Sequence, residues 1–203
     1  ITYNAAISAC EKGMNWPQAL NLLAEMQARG LEPSVITYSA AISACEKVVA
    51  WEQALTLLAE MGQRSLEPNV ITYSATISAC EKALKWQEAV ALLGELKGGD
   101  LEPSLITYNA LISACEKGEQ WEQVLGLLEE MRSRRLTANL ITYAAAIIAC
   151  ERCCKWEQAM GLLESARQSG LAPNAAIYEA AVGACAKGYQ WGPAPGLLGE
   201  QQG

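Results

Sequence analysis

Histidine is absent from the 203-residue sequence. Catalytic triads with a histidine base, zinc deaminase centres and metal sites built on two histidines are therefore excluded within these residues. Glycine-rich phosphate-binding loops are missing as well. Three cysteines, Cys150, Cys153 and Cys154, superficially resemble half of a zinc site, but no second half follows. The chain is predicted not to be an enzyme and to carry no cofactor or metal.

Long apolar runs and an excess of basic charge are also lacking. No stretch reaches the roughly 18 apolar residues that a membrane-spanning helix requires, and no signal peptide is recognisable. We therefore expect no membrane partner. Lysine and arginine number 15 against 22 aspartates and glutamates, which gives a net charge of -7. Nucleic-acid-binding domains are usually basic, so this balance by itself argues against such a partner.

Repetition is what the sequence has in abundance. Two aromatic markers recur every 35 residues without insertion or deletion: Tyr3, Tyr38, Tyr73, Tyr108, Tyr143 and Tyr178, and Trp16, Trp51, Trp86, Trp121, Trp156 and Trp191. Self-similarity at such a period indicates an array of stacked repeats. The repeats fall at approximately 1–34, 35–69, 70–104, 105–139, 140–174 and 175–203, and together they predict a single domain. Because the chain begins inside a repeat, we expect it to be a segment of a longer protein.

Cysteine follows the same period at six positions: Cys10, Cys45, Cys80, Cys115, Cys150 and Cys185. Equivalent positions on stacked helices lie about 10 Å apart. That distance exceeds the ~7 Å between Cα atoms that a disulfide can span. We therefore expect free thiols that are buried as small apolar residues.

Each repeat has the pattern of a helical hairpin. In the second repeat, Tyr38, Ile42 and Cys45 form an apolar stripe at helical spacing, and a second stripe begins at Trp51. The turn-forming segment 64–69, which contains a proline, ends the second helix. A single hairpin cannot bury its own stripe, so neighbouring repeats must stack. The sequence predicts an all-α fold, an α-solenoid superhelix of about six helix-turn-helix repeats. The tryptophans are expected to pack between hairpins, with base stacking as the alternative.

A second row of residues, here called the ligand row, runs along the first helix of each repeat and faces away from the apolar stripe. In the second repeat it consists of Ile36, Ser39, Ser43 and Lys47. An aliphatic group, small polar groups and a cation at this spacing could hold a flat base and its phosphate. The position after the tyrosine varies while its flanks barely change: Asn4, Ser39, Ser74, Asn109, Ala144 and Glu179. Duplication explains the constancy of the row, whereas variation confined to one place indicates selection among ligands.

The repeat "VITYSAAISACEKVVAWEQALTLLAEMGQRSLEPN" resembles the pentatricopeptide repeat. It aligns without gaps with that family's pattern of valine or isoleucine, Thr-Tyr-Asn or Ser, a cysteine-lysine stretch, Glu-Ala-Leu, Glu-Met and a closing Pro-Asn. Tetratricopeptide repeats, which bind peptides, have about 34 residues and a different tryptophan placement. The resemblance implies a monomer that binds single-stranded RNA at one nucleotide per repeat. It also implies a plastid or mitochondrial location and a role in RNA processing, stability or editing.

The resemblance further implies roles for particular residues. Bases would be sandwiched by Ile1, Ile36, Ile71, Ile106 and Ile141, and phosphates would be contacted by Lys12, Lys47, Lys82, Lys117, Arg152 and Lys187. Base choice would depend on the residue after the tyrosine together with the last residue of the repeat. These base-selecting pairs are Asn4 with Ser34, Ser39 with Asn69, Ser74 with Ser104, Asn109 with Asn139, and Ala144 with Asn174. They imply the target 5′-C-A-R-Y-N-3′, in which R is a purine, Y a pyrimidine and N any base.

The acidic composition is compatible with this function if the acids lie away from the ligand row. Many of them fall on the second helices: Glu52, Glu60, Glu122, Glu129 and Glu130. The last two repeats depart most from the pattern, since Ile148 and Gly183 replace serines of the ligand row and Ala176 replaces its isoleucine. Pro193 and Pro195 are expected to weaken the last helix, which leaves the sixth repeat degenerate and incomplete. Two other functions stay open: a scaffold that binds protein partners as extended peptides, and an inert array.

Overall fold

A computed structural model describes residues 2–188, and every regular element in this range is an α-helix. The helices are α1 Thr2–Lys12, α2 Trp16–Ala28, α3 Val35–Lys47, α4 Trp51–Gln63, α5 Val70–Lys82, α6 Trp86–Gly98, α7 Leu105–Lys117, α8 Trp121–Ser133, α9 Leu140–Arg152, α10 Trp156–Gln168 and α11 Ala175–Lys187. Each of the first five repeats contains two helices, and α11 is the first helix of the sixth. The predicted all-α solenoid fold is confirmed. The weakened helix predicted at Pro193 and Pro195 lies outside the described residues.

The chain divides into two compact units, residues 1–111 and residues 112–203, with the boundary inside α7. In the first unit, α1, α3 and α5 pack side by side, and each packs against the second helix of its own hairpin. In the second unit, α9 packs against α8, α10 and α11. First helices thus stack on first helices within each unit. None of the described helices combines the length and apolar character needed to span a bilayer.

The first helices begin where the last residue of the preceding repeat caps them. The side chains of Ser34, Asn69, Asn139 and Asn174 each accept a hydrogen bond from the backbone N–H three residues ahead. At α3 the arrangement is reciprocal, because the Ser34 N–H donates to Thr37 Oγ1 at 3.0 Å. Such N-caps typically contribute about 1 kcal/mol. The residue that ends each repeat therefore starts the next helix.

In the first five repeats, the turn between the two helices contains a residue in the left-handed conformation: Met14, Val49, Leu84, Glu119 and Cys154, with φ between 52° and 62°. In the second repeat, the Ala50 N–H donates to the Cys45 carbonyl at 2.9 Å and closes the end of α3. Glycine adopts this conformation without steric cost, but β-branched valine does so only under strain. The 35-residue period thus preserves the turn geometry even where the local residue disfavours it.

The core lies between the first and second helices of neighbouring repeats. In the first unit, Tyr38, Ile42, Cys45, Ala54 and Met61 are fully buried. In the second unit, the buried cluster contains Ile147, Cys150, Ala159, Leu163 and Ile177. The Tyr38 hydroxyl donates to Glu60 Oε1 at 2.7 Å, so its polar end is satisfied within the packing. The predicted apolar stripes therefore form the core.

All eight cysteines are free, which confirms the prediction made for the six periodic ones. Five of the six periodic thiols are buried, whereas Cys10 is only partly buried because no earlier helix of this chain covers α1. The expectation of burial at Cys10 was therefore wrong. Burial raises the pKa of the Cys45, Cys115 and Cys150 thiols to about 11 and that of Cys80 to about 12.

The described tryptophans each begin a second helix, and two of them contact a lysine of the following repeat. Lys85 Nζ lies 4.9 Å from the ring centroid of Trp51, and Lys155 Nζ lies 4.7 Å from that of Trp121. Such cation–π contacts contribute about 0.5–1 kcal/mol at exposed sites. These two tryptophans pack between hairpins, as the sequence indicated.

Candidate nucleic-acid interface

The isoleucines of the ligand row are among the most exposed large apolar side chains of the described residues. The exposed fractions are 68% for Ile36, 67% for Ile71, 70% for Ile106 and 70% for Ile141. On the same helices, Ile42 and Ile77 are fully buried in the core. An isoleucine exposed at the same place in successive repeats leaves apolar area in water that a ligand would cover favourably. Ile1 lies outside the described residues.

A shallow cavity of about 380 Å³ brings predicted residues of two consecutive repeats together in the first unit. Two predicted sandwiching residues, Ile71 and Ile106, line it together with one complete base-selecting pair, Ser74 and Ser104. The remaining lining residues are Glu46, Val70, Ala75 and Ser78. The cavity therefore has aliphatic walls and three serine hydroxyl groups, which suit a flat ligand with a polar edge.

A threonine of the following repeat joins the two members of a base-selecting pair. Thr37 Oγ1 lies 2.7 Å from Asn4 Oδ1 and 3.1 Å from Ser34 Oγ. No role was predicted for this threonine, although it precedes the tyrosine in each of the first five repeats. Its constancy beside the most variable position was the signal that could have revealed it.

The same bridge recurs in the next two repeats. Thr72 Oγ1 lies 2.8 Å from Ser39 Oγ and 3.0 Å from Asn69 Oδ1. Thr107 Oγ1 lies 2.7 Å from Ser74 Oγ and 2.9 Å from Ser104 Oγ.

In the second unit, Thr142 Oγ1 donates to Asn139 Oδ1 at 2.9 Å. The last pair differs, because Ala144 has no polar group and Ile177 occupies the threonine position. Its second member, Asn174, still accepts the Ile177 N–H at 3.1 Å. Asn109, the partner predicted for Asn139, is half-buried on α7.

Carboxylates of the preceding repeat pair with three of the predicted phosphate-binding cations. Lys82 Nζ lies 2.7 Å from Glu46 Oε1, Arg152 Nε lies 3.2 Å from Glu116 Oε1, and Lys187 Nζ lies 3.0 Å from Glu151 Oε1. Lys47 Nζ is 3.9 Å from Glu46 Oε2, while Lys12 is exposed and Lys117 half-buried. The expectation that the acids lie away from the ligand row was therefore incomplete, because a glutamate precedes the cation in each of the first five repeats.

The surface formed by the fifth and sixth repeats has a different chemistry. A cavity of about 420 Å³ there is lined by Ile148, Glu151, Arg152, Ala176, Glu179, Ala180 and Lys187. The ligand-row serines of the earlier repeats are replaced here by Ile148 and Gly183, so their hydroxyl groups are absent. A Cβ atom added to Gly183 would lie 2.6 Å from Glu151 Oε1, so serine at this position would displace that carboxylate. The sequence departures in these repeats therefore change the ligand row itself.

Comparison with protein families identifies the repeat. Residues 1–47 and 103–152 match the PPR repeat family. Residues 36–66 match the PPR repeat, and residues 56–117 match the pentatricopeptide repeat domain. The chain belongs to the pentatricopeptide repeat family. The family predicted from the sequence is thus confirmed, and the matches together span residues 1–152. A comparison with curated protein sequences found no match.

Solved pentatricopeptide repeat structures share the fold. The crystal structure of PPR10 from maize is 29% identical to this pentatricopeptide repeat chain, with a TM-score of 0.69, over 99% of this chain and 29% of that one. PPR10 in complex with an 18-nt psaJ RNA element is 25% identical, with a TM-score of 0.63, over 98% of this chain and 33% of that one. The chain therefore spans about a third or less of the length of PPR10.

A more distant structure shows similarity of fold alone. Nuclear proteinaceous RNase P 2 (PRORP2) from A. thaliana is 13% identical to this chain, with a TM-score of 0.79, over 88% of this chain and 40% of that one.

Proposed function

We propose that this chain binds single-stranded RNA sequence-selectively, with one base held between the isoleucines of consecutive repeats. The observation that carries the proposal is the cavity that Ile71 and Ile106 share with Ser74 and Ser104. Two aliphatic side chains can cover the faces of a base, and the hydroxyls can hydrogen-bond its edge. Single-stranded RNA is the nucleic acid whose base edges are available for such contacts.

Similarity to PPR10 supports the choice of ligand. That protein has been solved with an 18-nt RNA element, and it is similar to this chain over 98% of the chain's length. We assign the contacts of the remaining bases and phosphates by analogy between repeats. Repeats two to four carry both the exposed isoleucine and a polar residue after the tyrosine, so we assign them the strongest base contacts.

The ion-paired cations contact phosphates by exchanging partners. Lys82 is bound to Glu46 and sits at the edge of the ligand row, where its side chain is 37% exposed. A phosphate that approaches Lys82 competes with a carboxylate already in place. The electrostatic contribution per phosphate is therefore smaller than for an unpaired lysine, which gives an acidic chain a moderate affinity for RNA.

The first test is fluorescence anisotropy of the full chain with labelled RNA that contains 5′-CAAU-3′, against a scrambled RNA and the matching DNA across a salt series. In a variant with Ile71→Ala and Ile106→Ala, loss of buried methylene groups should weaken binding by about 1–2 kcal/mol, or roughly 5- to 30-fold. Leu84→Ala is the matched control, because Leu84 is 63% exposed but lies in a hairpin turn. Equal loss in both variants would contradict the proposed site.

Base selection is tested by exchanging one pair. Ser39→Asn combined with Asn69→Asp should change the preferred base at a single nucleotide and leave the helical circular dichroism unchanged. Negligible binding to all three nucleic acids at low salt would overturn the proposed function. A scaffold for extended peptides would then be the function to test on the same surface.

The cellular role follows from this binding and from the family resemblance. We propose that the chain is a non-catalytic, monomeric RNA-binding segment of a plastid or mitochondrial protein that acts in RNA processing, stability or editing. The six cations and five base-selecting pairs predicted from the sequence remain the assigned contacts. Import of a full-length fusion into isolated organelles, followed by sequencing of crosslinked RNA, measures both location and target.

A further inference from the structure

We infer that Thr72 and its equivalents are positioning residues that fix which hydrogen-bonding groups the base-selecting pairs present to a base. This inference rests on the proposed function. Thr37, Thr72 and Thr107 are each fully buried, and each bonds both members of one pair. A threonine hydroxyl carries one proton and two lone pairs. It can therefore donate to one member only and must accept from the other.

The direction of donation is determined in the second repeat. Asn69 Oδ1 accepts the Thr72 backbone N–H at 3.0 Å, so the oxygen of this amide, and not its nitrogen, faces the threonine. The Thr72 hydroxyl consequently donates to Asn69 Oδ1. Because the single hydroxyl proton of Thr72 is already used in this bond, the Ser39 hydroxyl must donate to Thr72 Oγ1. Ser39 presents oxygen lone pairs to a ligand.

The direction is reversed in the first repeat. Thr37 Oγ1 donates to Asn4 Oδ1 at 2.7 Å, a length typical of an O–H donor and shorter than usual for an amide N–H. The Ser34 hydroxyl and the Ser34 N–H then occupy the acceptor side of Thr37. Because the Asn4 amide oxygen faces Thr37, the amide nitrogen with its two hydrogens is the group that Asn4 presents to a ligand. Equivalent positions in adjacent repeats thus have opposite hydrogen-bonding character.

This difference between a hydrogen-bond donor and an acceptor matches the edges of the two bases implied for these repeats. Cytosine, the base implied for the first repeat, offers the acceptors N3 and O2 to the Asn4 amide. Adenine, implied for the second, offers its N6 amino group to the Ser39 oxygen. In the third repeat both members are serines, and Thr107 can donate to either, so both directions are available. This degeneracy accounts physically for the broad purine assignment of the Ser74 and Ser104 pair.

Capping alone does not require the threonine hydroxyl. At α11 the Asn174 cap forms at 3.1 Å although Ile177 has replaced threonine. That replacement coincides with Ala144, the one residue after a tyrosine in the first five repeats that cannot hydrogen-bond through its side chain. The hydroxyl is therefore present where there is a side chain to orient and absent where there is none.

The test uses the full chain and four labelled RNAs that differ only at the nucleotide facing the second repeat. Thr72→Val removes the hydroxyl and keeps the shape, and we expect the affinity ratio between the best and worst RNA to shrink by roughly fivefold. Thr72→Ser should restore the ratio. Thr76→Val is the matched control, since the buried Thr76 hydroxyl donates to the Thr72 carbonyl on the same helix and touches neither member of the pair.

The outcomes separate the inference from the proposed function. Absence of RNA binding by the unmodified chain overturns both. If the unmodified chain binds selectively but Thr72→Val weakens all four RNAs equally, the threonine is merely structural and the inference is wrong. An unchanged affinity ratio between the best and worst RNA in Thr72→Val would also show that the inference is wrong. Thermal unfolding of each variant identifies any general loss of folding.

Discussion

Lys82 Nζ lies 2.7 Å from Oε1 of Glu46, a residue of the preceding repeat. The contact links α5 to α3 across neighbouring hairpins. It also places a carboxylate beside a cation to which the proposed function assigns a phosphate. The pair therefore contributes to stacking and opposes RNA binding at the same position.

Removing this carboxylate should strengthen RNA binding. Glu46→Gln leaves Lys82 without its ionic partner, and we expect a gain of about 0.5–1 kcal/mol, or roughly two- to fivefold, together with a salt dependence steeper by up to about 0.7. Anisotropy titrations over a salt series measure both quantities.

The control for net charge is Glu67→Gln. Glu67 is exposed in the segment between α4 and α5 and lies outside the ligand row. An equal gain in both variants would mean that only the total charge of the chain matters and would contradict the competition between Glu46 and phosphate.

Relief of backbone strain at Val49 should stabilise the protein. Val49 has φ of 62° in the turn between α3 and α4. A left-handed conformation costs a non-glycine residue about 1–2 kcal/mol. Allowing for the extra entropy of glycine in the unfolded chain, Val49→Gly should raise the free energy of unfolding by about 0.5–1 kcal/mol. Urea denaturation measures the change, and destabilisation would show that packing of the 41%-exposed valine outweighs the strain.

Thiol reactivity should divide the cysteines into two classes. Cys154 is exposed and Cys153 partly exposed, so both should be alkylated quickly by iodoacetamide at about pH 8. Burial removes access to Cys45, Cys80, Cys115 and Cys150 and raises their pKa values to about 11 or 12, which leaves little thiolate. Peptide mass spectrometry over time gives the rates. Rapid labelling of the buried class in the folded protein would contradict the stacked core.

Stability should fall in acid partly through Glu60. Burial by itself would raise the pKa of Glu60, but hydrogen bonds from Tyr38, Gln27 and Arg64, with the charge of Arg64, outweigh it and lower the pKa below 4.5. A lowered pKa in the folded state stabilises the fold above the unfolded-state pKa, and this contribution is lost as pH falls through the folded-state value.

Glu60→Gln should therefore show a shallower loss of stability below pH 4.5 than the unmodified chain. Urea unfolding at a series of pH values measures the slope, with Glu67→Gln as the control for an exposed carboxylate. Parallel curves for the unmodified chain and Glu60→Gln would argue against the Tyr38–Glu60 contact.

Much of the fold was predictable because the same apolar stripes and helix-start residues recur in every 35-residue repeat. The apolar stripe of Tyr38, Ile42 and Cys45 predicted the buried face of α3, and Trp51 marked the start of α4. The expectation failed at Cys10, since burial depends on a neighbouring helix as well as on the residue. The N-cap role of Ser34 was also missed, although a serine three residues before a threonine is a pattern that indicates a capping box.

The sequence alone determined the helical hairpins of the described residues, the family and the row of candidate ligand residues, because these depend on spacing along the chain. The tertiary structure decided which residues of different repeats meet. It placed Glu46 against Lys82 and joined Ser39 to Asn69 through Thr72. Such contacts connect positions about one repeat apart. They depend on how consecutive hairpins stack, which a pattern within a single repeat does not specify.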